Sequence, residues 1–147
     1  MVRPSLLLAL LSHVPLLVAC ARTPQPEQPE DAPPEDLDRA LVFELAAAAP
    51  GAQRQDLFGG MSLGGDEKQP FGAELKKDVC YWFIGVAESP VKELALYLFD
   101  PAGERVATEK GSARPVLRAC AKETGRYKLE VVPSGKGAFQ VGLYVKP

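Results

Sequence analysis

The stretch VCYWFIGV, residues 79–86, decides the fold. It is apolar at consecutive positions, which is typical of a central strand covered on both faces. Successive side chains of a strand point to opposite faces, so Tyr81, Trp82 and Phe83 cannot all face one core. A solvent-facing Trp82 or Tyr81 would stack on a sugar ring or a partner surface. The favoured alternative is that a second sheet covers one face and an N-terminal helix the other.

Period-two patterns continue on both sides of this stretch. In residues 92–99, Leu94, Leu96 and Leu98 alternate with Ala95, Tyr97 and Phe99. Residues 100–103, DPAG, fit a type I turn with Asp first, Pro second and Gly fourth. Further strands are expected at residues 56–63, 68–75, 104–108 (a polar edge strand), 114–120, 126–132 and 139–145. Short strands at this spacing predict a mainly β fold, an antiparallel β-sandwich of about seven to eight strands.

One helix is expected before the sandwich, over residues 35–49. Acidic residues crowd its start, where the helix dipole favours them. Leu37, Leu41, Leu45 and Ala48 form one apolar face at helical spacing, and Pro50-Gly51 ends the pattern. An extended strand is the alternative, because Leu41-Val42-Phe43 is apolar on both sides.

The N-terminus has the pattern of a secretory leader. A basic start, Met1-Val2-Arg3, precedes an almost wholly apolar run, residues 4–18, with no basic cluster after it. The run ends in Leu17-Val18-Ala19-Cys20, which resembles the lipobox of bacterial lipoproteins. That resemblance implies a signal peptide over residues 1–19 and a Cys20 that carries a diacylglycerol and an acylated amino group. An ordinary cleaved signal with a chance cysteine, or an uncleaved anchor, is the alternative.

Residues 20–36 join the leader to the domain. After Cys20 they hold five acidic residues and one arginine among prolines. Such a segment cannot bury enough apolar surface to fold and is expected to be disordered. An extended Pro-rich chain rises about 3.1 Å per residue, so this tether would hold the domain up to roughly 50 Å from a bilayer. A spacer is the favoured interpretation, and a partner-binding motif the other.

Residues 37–147 have the length of one small domain. They carry 15 Lys and Arg against 14 Asp and Glu, so the acidity of the chain lies in the tether. A nearly neutral domain of mixed charge lacks the excess of basic residues that is typical of nucleic-acid-binding domains. No nucleic-acid partner is therefore expected.

The domain has two cysteines, Cys80 and Cys120. In an exported chain, two cysteines in a small domain suggest one disulfide. Two buried free thiols are the alternative. His13 is the only histidine and would leave with the leader, which excludes Ser-His-Asp triads, Cys-His pairs and His-ligated metals from the mature chain. Carboxylates alone could cleave a glycoside, but their spacing singles out no pair. We therefore expect no enzyme, catalytic residue, metal or cofactor.

A family resemblance covers about 70 residues. Its marks are Cys80-Tyr81-Trp82-Phe83, the run LALYLFDPAG at residues 94–103, and Gly125-Arg126-Tyr127. These resemble the bacterial pre-peptidase C-terminal domain. The resemblance implies a jelly-roll-like sandwich and a non-catalytic accessory role, with some relatives binding calcium or glycans. Many members have Asp where this chain has Ala95, so an acidic calcium cluster is not expected.

Three functions compete at this stage. The first is a lipid-anchored module that docks on another envelope protein. The tether, the expected disulfide of the β-sandwich and the missing catalytic residues favour it. A glycan-binding lipoprotein would need an exposed aromatic strip, and a carboxylate hydrolase would need a cleft. The outer membrane is the expected location, because Ala21 replaces the Asp that often retains similar lipoproteins in the inner membrane.

Overall fold

The computed structural model describes residues 36–147. They form one helix and eight strands. These are α1 (Leu37–Ala48), β1 (Gln53–Leu63), β2 (Gln69–Leu75), β3 (Cys80–Ala87), β4 (Glu93–Phe99), β5 (Arg105–Glu109), β6 (Val116–Cys120), β7 (Gly125–Ser134) and β8 (Lys136–Val145). The expected mainly β sandwich with one N-terminal helix is confirmed. No helix in this part of the chain is long and apolar enough to cross a membrane.

The strands form two four-stranded antiparallel sheets. Sheet 1 has the order β1-β8-β3-β6 and sheet 2 the order β2-β7-β4-β5. Successive strands thus alternate between the sheets until β4 and β5 pair as a hairpin, which is the order of a jelly roll. The four edge strands are β1, β6, β2 and β5. The edge position expected for residues 104–108 is therefore confirmed in β5.

The main core lies between the sheets. β4 contributes Leu94, Leu96 and Leu98, each fully buried, as its alternation predicts. β3 contributes Tyr81 and Phe83 to the same core. Three further side chains of β3 belong to a second apolar cluster on the outer face of sheet 1, namely Trp82, Ile84 and Val86.

Helix α1 covers that outer face. Asp36 caps its start by accepting a hydrogen bond from the Arg39 N–H. Leu41 is buried against the outer cluster, and Leu37, Leu45 and Ala48 pack partly buried beside it. The helical interpretation is thus confirmed over the extended alternative. The helix begins at Leu37 rather than at residue 35, which lies outside the described part of the chain.

Candidate binding surfaces

A disulfide joins the two cysteines of the domain. Cys80 on β3 and Cys120 on β6 are direct cross-strand partners with Cα atoms 3.8 Å apart, and their sulfurs are bonded. The expected disulfide is confirmed, and the free-thiol alternative is wrong. The bond ties edge strand β6 to the central strand β3. Cys20, the expected lipidation site, lies outside the described residues.

Tyr81 does not lie at the surface. Its side chain is 1% exposed and belongs to the core between the sheets. Its hydroxyl accepts a hydrogen bond from the Lys76 N–H, at 2.9 Å. A contact role for Tyr81 is therefore wrong, because the inward position of β3 buries the ring.

Trp82 lies on the outer face of sheet 1 and is half-buried. It packs against the cluster under α1. The Arg118 guanidinium carbon lies 5.4 Å from the centroid of its ring, and the Lys146 ammonium lies 5.3 Å from it. At these distances both cations are attracted by the ring quadrupole. The expectation that both faces of β3 are covered is confirmed, and two cations complete the cover over Trp82.

A cleft opens between β5 and β6, where the edges of the two sheets part. Its volume is about 450 Å³. Its apolar lining includes Leu75, Leu98 and Tyr127, and its charged lining consists of Arg105, Arg118, Lys122, Asp100 and Glu123. The Asp100 carboxylate accepts a hydrogen bond from the Glu104 N–H at 2.8 Å. Within residues 36–147, none of the three cations of the cleft forms an ion pair.

The outer face of sheet 2 carries two aromatic rings. Tyr97 and Phe99 stand two positions apart on β4 and are both half-buried. Arg105 lies 5.8 Å from the centroid of the Tyr97 ring, and the Lys128 ammonium lies 4.4 Å from that of Phe99. Beside Phe99 lies an open groove of about 540 Å³ that includes Arg126 and Lys128. Rings beside cations suit the stacking and charge contacts of an acidic sugar.

The exposed apolar residues of the domain concentrate on α1 and β1. Phe43 is 69% exposed and Val42 is 67% exposed, both on α1. Met61 is 57% exposed and Leu63 is 76% exposed, and Leu57 is also exposed, all three on β1. We call these five residues the α1–β1 surface. Of the remaining large apolar side chains in the described part of the chain, Val106 on β5 is the exposed one.

The two halves of the α1–β1 surface lie on the same side of sheet 1. On β1, Phe58 and Ser62 are buried, so Leu57, Met61 and Leu63 face outward by alternation. On α1, Val42 follows Asp38 by four residues and therefore shares its side of the helix. Asp38 acts electrostatically on the same hydroxyl as Arg54 of β1, that of Tyr144. Leu41 packs α1 onto the outer face of sheet 1, so the exposed side chains of α1 lie on the side of the sheet to which these β1 side chains point.

Two polar groups border this surface. Burial raises the pKa of the Tyr144 hydroxyl above its usual value, and the Asp38 charge adds to the rise. Charge and hydrogen bonding from Arg54 lower that pKa, but burial prevails. Gln140, the cross-strand partner of Gly59 and Val86, has a buried Oε1 that accepts no hydrogen bond.

No protein-family model and no curated protein sequence matches this chain. Membership of the pre-peptidase C-terminal family thus stays a prediction from its motifs. Within residues 36–147, no group of His, Cys, Asp or Glu is placed to hold a metal ion.

Sequence reasoning missed most of the α1–β1 surface. It placed Leu57, Met61 and Leu63 inside a strand but assigned them no face. The alternation of Phe58, Gly60 and Ser62 with these residues was the available signal. It was weak, because two glycines interrupt the strand and serine stands at an inward position.

Proposed function

We propose that this protein is a lipid-anchored, non-catalytic envelope lipoprotein that binds another envelope protein through the α1–β1 surface. The observation that carries the proposal is that five of the six exposed large apolar side chains of the described residues belong to α1 and β1. Apolar side chains scattered singly need no explanation, whereas several exposed on neighbouring elements make a candidate interaction site.

The anchor and the tether support the same function. Acyl chains on Cys20 would hold the domain at a membrane, since each buried methylene contributes about 0.8 kcal/mol and two or three chains make release slow. A tether up to roughly 50 Å long confines the domain near its membrane partners, at an effective concentration in the millimolar range. A modest apolar surface then suffices for docking. We propose the outer membrane as the location, from the Ala21 position.

The test is affinity purification from mildly crosslinked native membranes. The wild-type protein runs beside Cys20→Ser and beside a Phe43→Ser/Met61→Ser double variant. Lys110→Ser/Lys128→Ser serves as the control, because it truncates two exposed side chains that lie on or next to strands of sheet 2. We expect one or a few envelope proteins that are enriched with the wild type and the lysine control only. Equal recovery with the Phe43/Met61 variant would refute the α1–β1 surface as the docking site.

A glycan-binding function is the second candidate, and Tyr97 and Phe99 favour it. Two rings on one sheet face, each beside a cation, form the aromatic strip that this function needs. Binding to immobilised acidic cell-wall and surface polysaccharides should then fall at least about tenfold in Tyr97→Ala, a loss of ~1.4 kcal/mol. Val132→Ala, on the same face of sheet 2, is the control. Unchanged binding in Tyr97→Ala would remove this candidate.

A further inference from the structure

Edge strand β6 presents free backbone groups. Pro115 and Ala121 direct their hydrogen-bonding groups toward β3, through Gly85 N–H to Pro115 O and Asp78 N–H to Ala121 O. In an antiparallel pair, the direction alternates along the strand. The N–H and C=O groups of Val116, Arg118 and Cys120 therefore point away from β3. Since β6 pairs with β3 alone, this row of donors and acceptors faces the side of the cleft.

Two of the other edge strands are blocked. On β1, the Asp56 carboxylate accepts from the Leu57 N–H, and the Gln69 side-chain amide donates to the Met61 carbonyl. On β2, the Gln55 side-chain amide donates to the Glu74 carbonyl. A bulge in β1 and a proline in β2 add to the block. These are recognised ways of preventing strand addition at an edge, and β6 shows neither the bulge nor the side-chain caps.

The environment of β6 selects the side chains of an added strand. A residue opposite Arg118 would share its face of the sheet and meet the guanidinium. The next residues along that strand would point inward, toward the apolar floor of the cleft formed by Leu98, Ala107 and Tyr127. Arg105 and Lys122 add positive charge at the rim, against Asp100 and Glu123. The matching ligand is a strand with acidic and apolar residues in alternation.

We infer that β6 and its cleft bind an extended acidic peptide segment by strand addition. This deepens the proposed protein-binding function, on which it rests, by naming the chemistry of a segment that the partner would supply. A second copy of this chain is a poor occupant. Antiparallel pairing of two β6 strands about Arg118 would place the two guanidinium groups opposite each other, and like charges in that position are destabilising.

The test uses the full-length protein in mild detergent and a synthetic peptide. The probe is a blocked peptide of about seven residues in which Glu and Val alternate, the length of a short strand. We expect binding that weakens as salt is raised. Amide hydrogen exchange should slow at Arg118 and Cys120, the N–H groups that strand addition would cover. The same peptide with Lys in place of Glu should bind at least about tenfold more weakly.

Two sets of variants complete the design. Arg118→Glu should lower affinity for the Glu peptide about tenfold and raise it for the Lys peptide, whereas Lys136→Glu, on the distant β7–β8 turn, should change neither. Arg118→Gln gives a milder second variant if Arg118→Glu unfolds. Only every second N–H of the added peptide would point toward β6. N-methylation of those amides should abolish binding, whereas N-methylation of the intervening amides should leave it unchanged.

Several outcomes would overturn the inference. Equal binding of the two peptides would exclude an acidic ligand, and unchanged exchange at Arg118 and Cys120 would exclude strand addition. Binding of an acidic polysaccharide at the cleft without amide protection would assign the cleft to a glycan instead. All of these measurements use purified protein, so their failure is distinguishable from a failure to recover partners through the α1–β1 surface.

Discussion

Tyr144 is the residue at which α1, β1 and the centre of sheet 1 meet. Its ring lies so close over Gly142 that a Cβ at that glycine would clash with it. A side chain larger than hydrogen cannot share that space, so Gly142 makes room for the ring. Burial there favours the neutral phenol, which is why its pKa is raised.

The raised pKa of Tyr144 predicts a pH-dependent stability. The unfolded chain releases the phenolic proton near pH 10, whereas the folded protein retains it to a higher pH. The stabilising contribution is therefore complete below about pH 10 and is lost as pH rises through the folded pKa. Urea unfolding from pH 8 to 11 should show a steeper loss of stability in the wild type than in Tyr144→Phe. Parallel curves would contradict this.

The Cys80–Cys120 disulfide closes a loop with a sequence separation of 40 residues. The chain-entropy model gives about 4 kcal/mol for a loop of this length. We expect Cys80→Ala/Cys120→Ala to lose roughly 2–4 kcal/mol of unfolding free energy in urea. The wild type measured with a reductant is the matched control and should lose a similar amount. A loss under about 0.5 kcal/mol would show that edge strand β6 holds its place without the bond.

Helix α1 shows opposite environments at positions two residues apart. Leu41 is buried against the outer face of sheet 1, and Phe43 faces solvent. Leu41→Ala should cost about 2–5 kcal/mol of unfolding free energy through lost burial and a cavity. Phe43→Ala should stay within about 0.5 kcal/mol, as surface substitutions do. Thermal or urea unfolding of the two variants tests this, and similar losses would mean that the helix is turned differently on the sheet.

The helix and the strands could be predicted well from the sequence, but which strands pair with each other could not. Alternation of Leu94, Leu96 and Leu98 placed β4 correctly, because the side-chain period of a strand is local. The pairing of β1 with β8 depends on contacts between segments about 80 residues apart, and no local pattern encodes it. Strand ends such as those of β7, Gly125–Ser134, moved by one or two residues because ladder pairing extends past the apolar core.

The candidate sites followed the same division. The disulfide was predictable because two cysteines in a domain expected to be exported leave few alternatives. Tyr81 and Trp82 were not separable, since the sequence does not say which face of β3 meets the second sheet. The cations over Trp82 come from β6 and the C-terminal residues, so only the folded chain brings them to the ring.

At the scale of the whole molecule, membrane attachment is expected to depend on one side chain. The lipobox-like sequence would place all acyl chains on Cys20 or its amino group. Cys20→Ser should move the protein from the detergent phase to the aqueous phase in a Triton X-114 partition, because the buried methylenes are lost. Incorporation of labelled palmitate should disappear in parallel. Detergent-phase behaviour of both proteins would point to an uncleaved leader as the anchor.

The β1 part of the α1–β1 surface and the β6 cleft lie at opposite edges of sheet 1. β1 and β6 are separated by β8 and β3, and three inter-strand spacings amount to about 14 Å. Substitutions more than about 10 Å apart that share no partner usually add within ~0.5 kcal/mol. The losses of affinity for the purified partner caused by Met61→Ser, on β1, and Arg118→Glu, on β6, should therefore multiply in the double variant, within about a factor of two. A double variant no weaker than one single variant would show that only one of the two regions contacts the partner, since the second substitution would then remove nothing.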